Sequence, residues 1–299
     1  MILVKRQQAD PILAKEQLEA IQATLATWGV DKFLQAFFWI LAKSESTFEG
    51  VTTRLVPFKL NFIQRHLEPR LGQNNIVGKG RQQGFTTYML LRRLLLPVIT
   101  EGGIGSLLIG QTASDASTFL RIAIRAYKYI AVVDPFDASQ NEYSVSLKQN
   151  LLHTAFSNKK ELVFDYLDSK IMIASAEIEE AGQGVTLHHI LADEYARWPG
   201  DPRATLANAR GALVPGGTLD KSSTANGMVG PYFQDFLLAM DYPKESDSKV
   251  HFYPWYWSED YFFDVEEKER KEMELDITAD ELRIIAQMRK ELEETSFVI

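Results

Sequence analysis

The sequence predicts an α/β protein with a mostly parallel central sheet and helices on both of its faces. Short apolar runs with strand character alternate with longer runs that have helical spacing, which is the pattern of a parallel sheet covered on both faces. Three strand candidates also run into polar loops, at 78–87, 193–194 and 222–227. Because ligands bind at the carboxyl ends of such strands, we expect these three loops to meet at one edge of the sheet.

Composition narrows the class of protein. The chain of 299 residues is 45% hydrophobic and 24% charged, as expected of a soluble globular protein with a sizeable core. It has no cysteine, which excludes a disulfide framework, a cysteine–zinc site and a cysteine nucleophile, and which fits a reducing cytosol. The longest apolar stretch, around 37–42, is too short to span a bilayer, and the N-terminus does not have the form of a secretory signal. We therefore expect no membrane partner.

The net charge of −8 is unevenly distributed along the chain. Residues 51–100 hold eight cations against one acid, whereas residues 264–299 hold twelve acids against six cations. The basic zone surrounds the first of the three polar loops. It indicates that anions meet the protein there, either nucleotide phosphates or a nucleic-acid backbone, with a solvated surface as the alternative.

Hydrophobic spacing and turn residues predict the order of the elements. Helices are predicted at 10–43 (with a break at 28–31), 58–71, 86–99, 114–130, 202–213 and 230–240. Strands are predicted at 106–110, 161–164, 170–174, 187–192, 218–222 and 249–254, with the second and third forming a hairpin. Residues 44–57 and 133–158 have neither pattern and are predicted to be loops, and the acidic tail is predicted to be helical.

The first polar loop has the chemistry of a phosphate-binding loop. The stretch V-G-K-G-R-Q-Q-G-F-T-T, residues 77–87, lies between a short apolar strand candidate and an apolar helix candidate. Glycines let the backbone bend closely, and N–H groups at a helix N-terminus bind phosphate together with a cation and a hydroxyl. The residues predicted to contact the nucleotide here are Gly80, Gln82, Gln83, Gly84, Phe85, Thr86 and Thr87.

This loop departs from the usual G-x-x-x-x-G-K-[ST] pattern at one position. Phe85 stands where the pattern has lysine. We expect Lys79, at the front of the loop, to replace that lysine and to reach the β- and γ-phosphates together with Arg81. The Thr86 hydroxyl is expected to bind Mg²⁺. On this stretch alone, an ordinary glycine turn with a basic flank is the alternative.

Two adjacent acids follow the buried strand candidate at 187–192. Asp193 is predicted to hold Mg²⁺ through its water shell, and Glu194 to orient and deprotonate the water that attacks the nucleotide. The alternative is a polar strand end without a function. His188 and His189 have no second pair of metal ligands at the usual spacing, so we interpret them as strand residues.

We make two further predictions, for hydroxyl and amide side chains near the same edge of the sheet. Ser222, Ser223 and Thr224 end a strand, where they can sense a γ-phosphate and pass that signal to moving parts, or simply cap a turn. Gln64 lies on a helix with aromatic neighbours, and its amide can make two hydrogen bonds to an adenine edge. For a single glutamine, a surface position is the alternative.

Several arginines and aromatic residues leave more than one interpretation open. Five arginines can reach a neighbouring subunit's phosphate or a DNA backbone, namely Arg121, Arg125, Arg197, Arg203 and Arg210. The alternative for each is a solvated or ion-paired side chain, which is the more common role of an arginine. The aromatic cluster at 253–263 can stack on bases. Packing against the sheet, or docking of another domain, is the more common role of such a cluster.

The three loops together resemble a known family. K-G-R-Q-Q-G-F-T-T at 79–87, Asp193-Glu194 after an apolar strand, and S-S-T-A-N-G at 222–227 resemble, in this order, the large terminase subunit of tailed bacteriophages, over about residues 55–260. Some members carry the working lysine at the front of the loop, as Lys79 stands here. Gln64 stands where the family places its adenine-reading glutamine, and the family's arginine that acts in trans is not identified among the candidates above.

The resemblance implies a P-loop ATPase of the type with an additional strand and a catalytic glutamate. It implies ATP and Mg²⁺ as cofactors, translocation of double-stranded DNA without sequence preference, and partners in the portal protein and the small terminase subunit. A homo-oligomeric ring on the capsid in the host cytoplasm is expected, with a monomer as the alternative in isolation.

The resemblance also implies a division of the chain. Residues 1–50 would form an N-terminal helical segment, residues 51–260 the ATPase core, and residues 261–299 a charged helical linker toward a nuclease domain. That domain is not expected in this chain, and neither is nuclease activity. Two alternatives to the motor stay open, a helicase-like ATPase acting on another nucleic acid and a structural or binding protein with a degenerate nucleotide site.

Overall fold

The computed structural model describes residues 9–43, 53–258, 283–288 and 290. Its helices are α1 (Pro11–Phe37), α2 (Phe62–Leu67), α3 (Phe85–Met89), α4 (Leu96–Thr100), α5 (Ala113–Lys128), α6 (Glu142–Gln149), α7 (Pro202–Gly211) and α8 (Pro231–Asp241). A π-helical segment, Leu90–Leu95, joins α3 to α4, so the helix predicted at 86–99 is confirmed. Short 3₁₀ turns lie at Glu68–Arg70, Ala138–Gln140, Tyr195–Arg197 and Trp255–Trp257.

The strands form one large sheet and one small hairpin. They are β1 (Trp39–Lys43), β2 (Thr53–Pro57), β3 (Asn75–Lys79), β4 (Gly105–Gly110), β5 (Thr154–Ser157), β6 (Glu161–Phe164), β7 (Ser169–Ser175), β8 (Leu187–Asp193), β9 (Leu213–Ser223) and β10 (Lys249–Tyr253). The large sheet has the order β10-β3-β9-β8-β4-β7-β6-β5. Pairing is parallel from β10 to β7 and antiparallel from β7 to β5. The mostly parallel sheet is therefore confirmed, with β9 inserted between β3 and β8.

Successive strand residues enter two different cores. In β4, Leu108 belongs to one core, whereas Leu107 and Ile109 belong to the other, as the two-residue period of a strand requires. Helices α1 to α5 close the first core, and α7 and α8 close the second. Helices thus cover both faces, which explains why β4 is buried along its whole length. Helix α1 packs into the same core as α3. The boundary predicted at residue 50, between an N-terminal helical segment and the ATPase core, therefore stays a prediction.

The N-terminal region differs from the prediction. The segment 39–43, expected to end a helix, is strand β1, and 53–57, expected to be a loop, is its antiparallel partner β2. The helix stops because Phe38 has extended backbone angles, φ −117 and ψ 140. The predicted break at 28–31 is present as Gly29 with φ 73 inside α1. The strand depends on pairing with a segment ten or more residues away, which local spacing does not reveal.

Two further segments were predicted wrongly. Residues 133–158, expected to be irregular, contain α6 and β5, and β5 is ordered by its ladder with β6. Of the helix expected at 58–71, only Phe62–Leu67 is α-helical, because Asn61 caps a later start. Most of the charged tail lies outside the described residues, although 283–288 are helical. No helix in the described part of the chain is both long and apolar enough to cross a membrane.

Candidate active site

The glycine loop leaves the end of β3 and enters α3. Gly84, with φ 68, precedes the first helical residue, and Gln82 also has a left-handed backbone, with φ 56. The Gly80 N–H donates to Tyr253 O at 3.0 Å and to Gln83 Oε1 at 3.0 Å. A Cβ at Gly80 would lie 2.9 Å from the Cα of Trp255, so only glycine fits this approach. A non-glycine residue in a left-handed conformation is typical of sites where function fixes the backbone.

Side-chain amides hold the loop from both sides. The buried Gln83 donates from Nε2 to Pro254 O at 2.8 Å, which attaches the loop to the end of β10. On the other side, Asn61 Nδ2 donates to Gln83 O at 3.0 Å and Gln64 Nε2 donates to Gly84 O at 3.0 Å. The loop is therefore shaped before any ligand binds, which is what a phosphate-binding site requires.

Phe85 has a structural reason to replace lysine. Its side chain is buried in the core that α1, α2 and α3 share. The first position of α3 thus faces the protein interior, where a charged amine would need a partner. The cation of the loop comes from the preceding strand instead, because Lys79 is the last residue of β3.

The acid pair lies where β8 ends, directly across β9 from the loop. Asp193 is almost completely buried, and its Oδ1 accepts from Thr86 Oγ1 at 3.0 Å and from Ser222 Oγ at 2.6 Å. Glu194 leaves the strand with φ 51, a left-handed backbone conformation. The indole Nε1 of Trp198 donates to Asp193 O at 2.8 Å and holds that turn.

Glu194 accepts hydrogen bonds from residues at the ends of β3 and β9. Lys79 Nζ donates to Oε1 at 2.7 Å, and the Lys79 side chain is only 7% exposed. The other oxygen, Oε2, accepts from the Thr224 N–H at 3.2 Å, from Thr224 Oγ1 at 3.1 Å and from Ser223 Oγ at 3.3 Å. The Glu194 carboxylate therefore bonds both to the front of the glycine loop, at Lys79, and to the end of β9, the strand that lies between β3 and β8.

The two acids have opposite electrostatic environments. Burial raises the pKa of Asp193, and the nearby Lys79 ammonium only partly offsets this. Burial also acts to raise the pKa of Glu194, but the Lys79 ammonium and the hydrogen bonds from Thr224 outweigh it, so that pKa is below its usual value. Glu194 is consequently an ionised acceptor in this state, whereas Asp193 lacks a full countercharge.

The expected convergence of three loops at one edge is confirmed. In the parallel ladder, Val77 pairs with Ser222 and Gly78 with Ser223, while Asp193 pairs with Ser222 on the other side of β9. The register alone places the loop, the acid pair and the Ser-Ser-Thr segment side by side. Their individual roles in binding and catalysis remain predictions.

The donor set at Asp193 fits a divalent cation with oxygen ligands. A buried carboxylate beside the Thr86 hydroxyl offers hard oxygen donors, and Mg²⁺ in phosphate-transfer sites uses one or two carboxylates plus substrate phosphates. The described residues contain no group of three or more His, Cys, Asp or Glu side chains that could hold a metal. His188 and His189 are bonded within the sheet, to Gly105 N–H and Thr218 Oγ1, as interpreted from the sequence.

The carboxamide of Gln64 is used by the chain itself. It forms a reciprocal capping box with Asn61 in addition to its bond to Gly84, and its side chain is buried. Its predicted contact with adenine stays a prediction. Asn61 was not predicted from the sequence, although the spacing N-x-x-Q at a helix start is the signature of such a box.

The arginine candidates lie at different places. Arg197 reaches the site in its own chain, with Nε 3.3 Å from Thr224 Oγ1 and 3.8 Å from Glu194 Oε2. Arg203 donates to Gln234 Oε1 and lies near Asp235, and Arg210 pairs with Asp247. Because α7 runs back along the sheet and Asp247 precedes β10, Arg210 lies toward the opposite edge from the glycine loop.

The two remaining candidates lie on α5. Arg121 donates to Thr118 Oγ1 on an exposed face, and Arg125 lies one turn further along the same helix. The role of any of these arginines in a neighbouring subunit stays a prediction.

The aromatic cluster largely packs against the sheet, as its more common interpretation predicts. Tyr253 and Trp257 are buried, and the Trp257 ring contacts Phe62 and His66 of α2 with centroids 5.7 and 5.2 Å apart. Trp255 is half exposed beside the glycine loop. The part of the cluster after Ser258 lies outside the described residues.

Comparisons with known proteins find similarity in structure only. No protein-family model and no curated protein matches the chain. Among solved structures, the large terminase of bacteriophage HK97 aligns with a TM-score of 0.52 at 15% identity, over 80% of this chain and 45% of that one. The ATPase domain of the Thermus phage P74-26 large terminase aligns with a TM-score of 0.45 at 17% identity, over 76% and 92% of the two chains. A DEAD box protein from Methanococcus jannaschii aligns with a TM-score of 0.35 at 12% identity, over 66% and 50%.

The match to the HK97 large terminase confirms the predicted resemblance at the level of the fold. The chain has the fold found in the HK97 large terminase, a mostly parallel sheet covered by helices, and it spans 45% of that protein's length. At 15% identity the likeness concerns the fold alone, so the chemistry of the site has to be argued from the residues of this chain.

Proposed function

We propose that this chain is an ATPase that converts ATP and water to ADP and phosphate with Mg²⁺, and that it drives double-stranded viral DNA into a procapsid. The observation that carries the proposal is the bonding of Glu194. Its carboxylate is held between Lys79 at the front of the glycine loop and Thr224, which directly follows the neighbouring strand β9. A base, a cation and a hydroxyl at three adjacent strand ends suit hydrolysis of a triphosphate.

The glycine loop would bind the phosphates of ATP. Backbone N–H groups from Arg81 to Thr86, at the start of α3, would surround the β-phosphate. Lys79 and Arg81 would approach the γ-phosphate, and Lys79 would exchange its bond with Glu194 for one with phosphate oxygens. Thr86 and Asp193 would hold Mg²⁺, which supplies positive charge against the phosphates.

Glu194 would act on the attacking water. Once Lys79 turns toward the phosphates, the carboxylate would accept a proton from water while the water oxygen bonds to the γ-phosphorus and the bond to the ADP oxygen breaks. Thr224 would keep one carboxylate oxygen in place, so that the other faces the water. Because Ser222 and Ser223 end β9 and Thr224 follows them directly, loss of the γ-phosphate would be transmitted along that strand.

The packaging role rests on the resemblance of the three motifs and on the shared fold. DNA contacts would go to phosphates without sequence preference and would weaken with salt. The portal protein and the small terminase subunit would be partners in the host cytoplasm, with the chain in a homo-oligomeric ring on the capsid. Residues 51–260 would be the motor core, and residues 261–299 would lead toward a nuclease domain.

ATP turnover measured for matched variants tests the enzymatic proposal. We expect Glu194→Gln to lower kcat by a factor of about 10² to 10⁴, the range for loss of a general base, while ATP still binds. Glu180→Gln is the matched control, because Glu180 is exposed on the loop after β7 and its loss is expected to leave kcat unchanged. Equal, negligible turnover in the wild type and Glu194→Gln would favour a binding protein with a degenerate site.

A further inference from the structure

A large cavity opens beside the glycine loop, on the face of the sheet covered by α8. It has a volume of about 720 Å³, within the range of small-molecule pockets. We call it the aromatic groove. Its lining includes Lys79 and Arg81 from the loop, Thr224 from the end of β9, and three aromatic side chains at the end of β10, namely Phe252, Trp255 and Tyr256. The groove is therefore continuous with the site proposed to bind phosphates.

The backbone geometry builds the groove against the loop. A Cβ at Gly78 would lie 3.1 Å from ring atoms of both Phe236 and Phe252, so glycine at this position lets the two rings approach the strand. Trp255 lies three positions after Phe252, and a Cβ at Gly80 would lie only 2.9 Å from its Cα. Phe252 and Trp255 are 65% and 53% exposed, so large ring surfaces remain accessible where the groove opens.

Most polar groups along the groove are already engaged. The Tyr232 hydroxyl donates to Val77 O at 2.7 Å, the Tyr253 hydroxyl lies 3.2 Å from His66 Nδ1, and Asn226 Nδ2 donates to Ala196 O. The lining of the groove is cationic at the loop end, with Lys79 and Arg81, and aromatic at the other end. A nucleoside triphosphate has the same division, with anionic phosphates at one end and a flat ring at the other.

We propose that the aromatic groove binds the nucleobase of the triphosphate, by stacking against Phe252, Trp255 and Tyr256. This inference rests on the proposed function, since it places the base relative to phosphates bound by the glycine loop. It differs from adenine reading by Gln64, whose buried carboxamide is bonded to Asn61 and Gly84 on the other side of the loop. Because stacking is tolerant of base identity, ATP and GTP are expected to bind with Kd values within about threefold.

Calorimetric titration with two probes tests the assignment. ATP carries a base, whereas inorganic tripolyphosphate carries phosphates alone. We expect Trp255→Ala and Phe252→Ala each to raise the Kd for ATP about tenfold, within the range for loss of one stacking partner, and to leave the Kd for tripolyphosphate unchanged. Trp255→Phe should retain most of the ATP affinity. Trp28→Ala, at a half-exposed tryptophan on α1, is the control, and circular dichroism verifies that each variant is folded.

The outcomes of this titration distinguish a failure of the groove proposal from a failure of the proposed function. Unchanged ATP binding in both groove variants would overturn the proposal, while the proposed function would stand if Lys79→Ala weakened both probes. An equal loss of ATP and tripolyphosphate binding in Trp255→Ala would also overturn it, because the side chain would then shape the loop and not hold the base. Groove variants that bind ATP normally but lose DNA binding or self-association would identify a docking surface instead. A wild type that binds neither probe would overturn both proposals.

Discussion

The Lys79 ammonium lies 2.7 Å from the Oε1 of Glu194, although the two residues are 115 positions apart. The Lys79 side chain is 7% exposed and the Glu194 side chain 26% exposed. In this arrangement, the cation proposed for the γ-phosphate and the base proposed for water neutralise each other. A bound triphosphate would compete for Lys79 and leave Glu194 free, which links the activation of the base to occupancy of the loop.

Replacing Lys79 tests the displaced-lysine interpretation. We expect Lys79→Ala to lower ATP turnover by at least about 10²-fold, comparable to loss of one preorganised charge donor, and Arg81→Ala to have a smaller effect because Arg81 is exposed. The Lys79 ammonium also lowers the pKa of Glu194. Its removal should therefore raise that pKa and move the acidic limb of the pH–rate profile to higher pH. Normal ATP binding and turnover in Lys79→Ala would refute the interpretation.

Replacing Thr86 tests the metal assignment. Its hydroxyl lies 3.0 Å from Asp193 Oδ1, and loss of a group at a metal site typically costs 10- to 100-fold in metal affinity. We expect Thr86→Ala to raise the Mg²⁺ concentration for half-maximal turnover by about tenfold. Thr27→Ala, at an exposed hydroxyl on α1, is the matched control. The same Mg²⁺ dependence in Thr86→Ala and the wild type would contradict the assignment.

Thr224 is expected to position the base without binding substrate strongly. The variant Thr224→Val keeps the shape and the backbone N–H but removes the hydroxyl that donates to Glu194 Oε2 at 3.1 Å. A hydrogen bond to a charged acceptor contributes about 1.5–3 kcal/mol, so kcat should fall on the order of tenfold with little change in KM. Thr224→Ser should restore kcat. A raised KM with unchanged kcat would show that the hydroxyl acts on ATP binding instead.

We expect the folded protein to lose stability at mildly acidic pH because of the buried His251. Burial, with a further contribution from Lys249, lowers its pKa from 6.5 to about 4. The unfolded chain therefore binds this proton first, so the stabilisation is present above pH 6.5 and is lost as the pH falls toward 4. The shift corresponds to a free energy of unfolding on the order of 3 kcal/mol.

Urea unfolding at pH 7 and pH 4.5 measures this effect. His251→Gln should reduce the loss of stability between the two pH values, whereas His153→Gln, at a partly exposed histidine paired with Asp165, should not. The Nε2 of His251 carries its proton toward Asn75 Oδ1, because Asn75 Nδ2 is committed to Asp220 and Gly72 O. A parallel pH dependence in His251→Gln and the wild type would rule out this histidine as the source.

Local patterns predicted the features that depend on neighbouring residues in the chain. The glycine loop, the acid pair, the Ser-Ser-Thr segment and the sheet with its covering helices could all be predicted from spacing and residue type. The hairpin of β1 and β2, the strand β5 and the helix α6 could not. Their residues are stabilised by partners that are distant in sequence, and a short apolar run does not say which partner it will have.

The residues at the strand ends can be identified from the amino-acid order, since a strand, its polar loop and the next helix are contiguous in the chain. How those residues bond depends on the folded arrangement of the strands. The sheet order places β9 between β3 and β8, and this order brings Lys79 to Glu194, Thr86 to Asp193 and Trp255 to Gly80. The physical reason is that parallel strands exchange hydrogen bonds with non-consecutive neighbours, so the contacts of the site follow from strand order and register, which no local pattern contains.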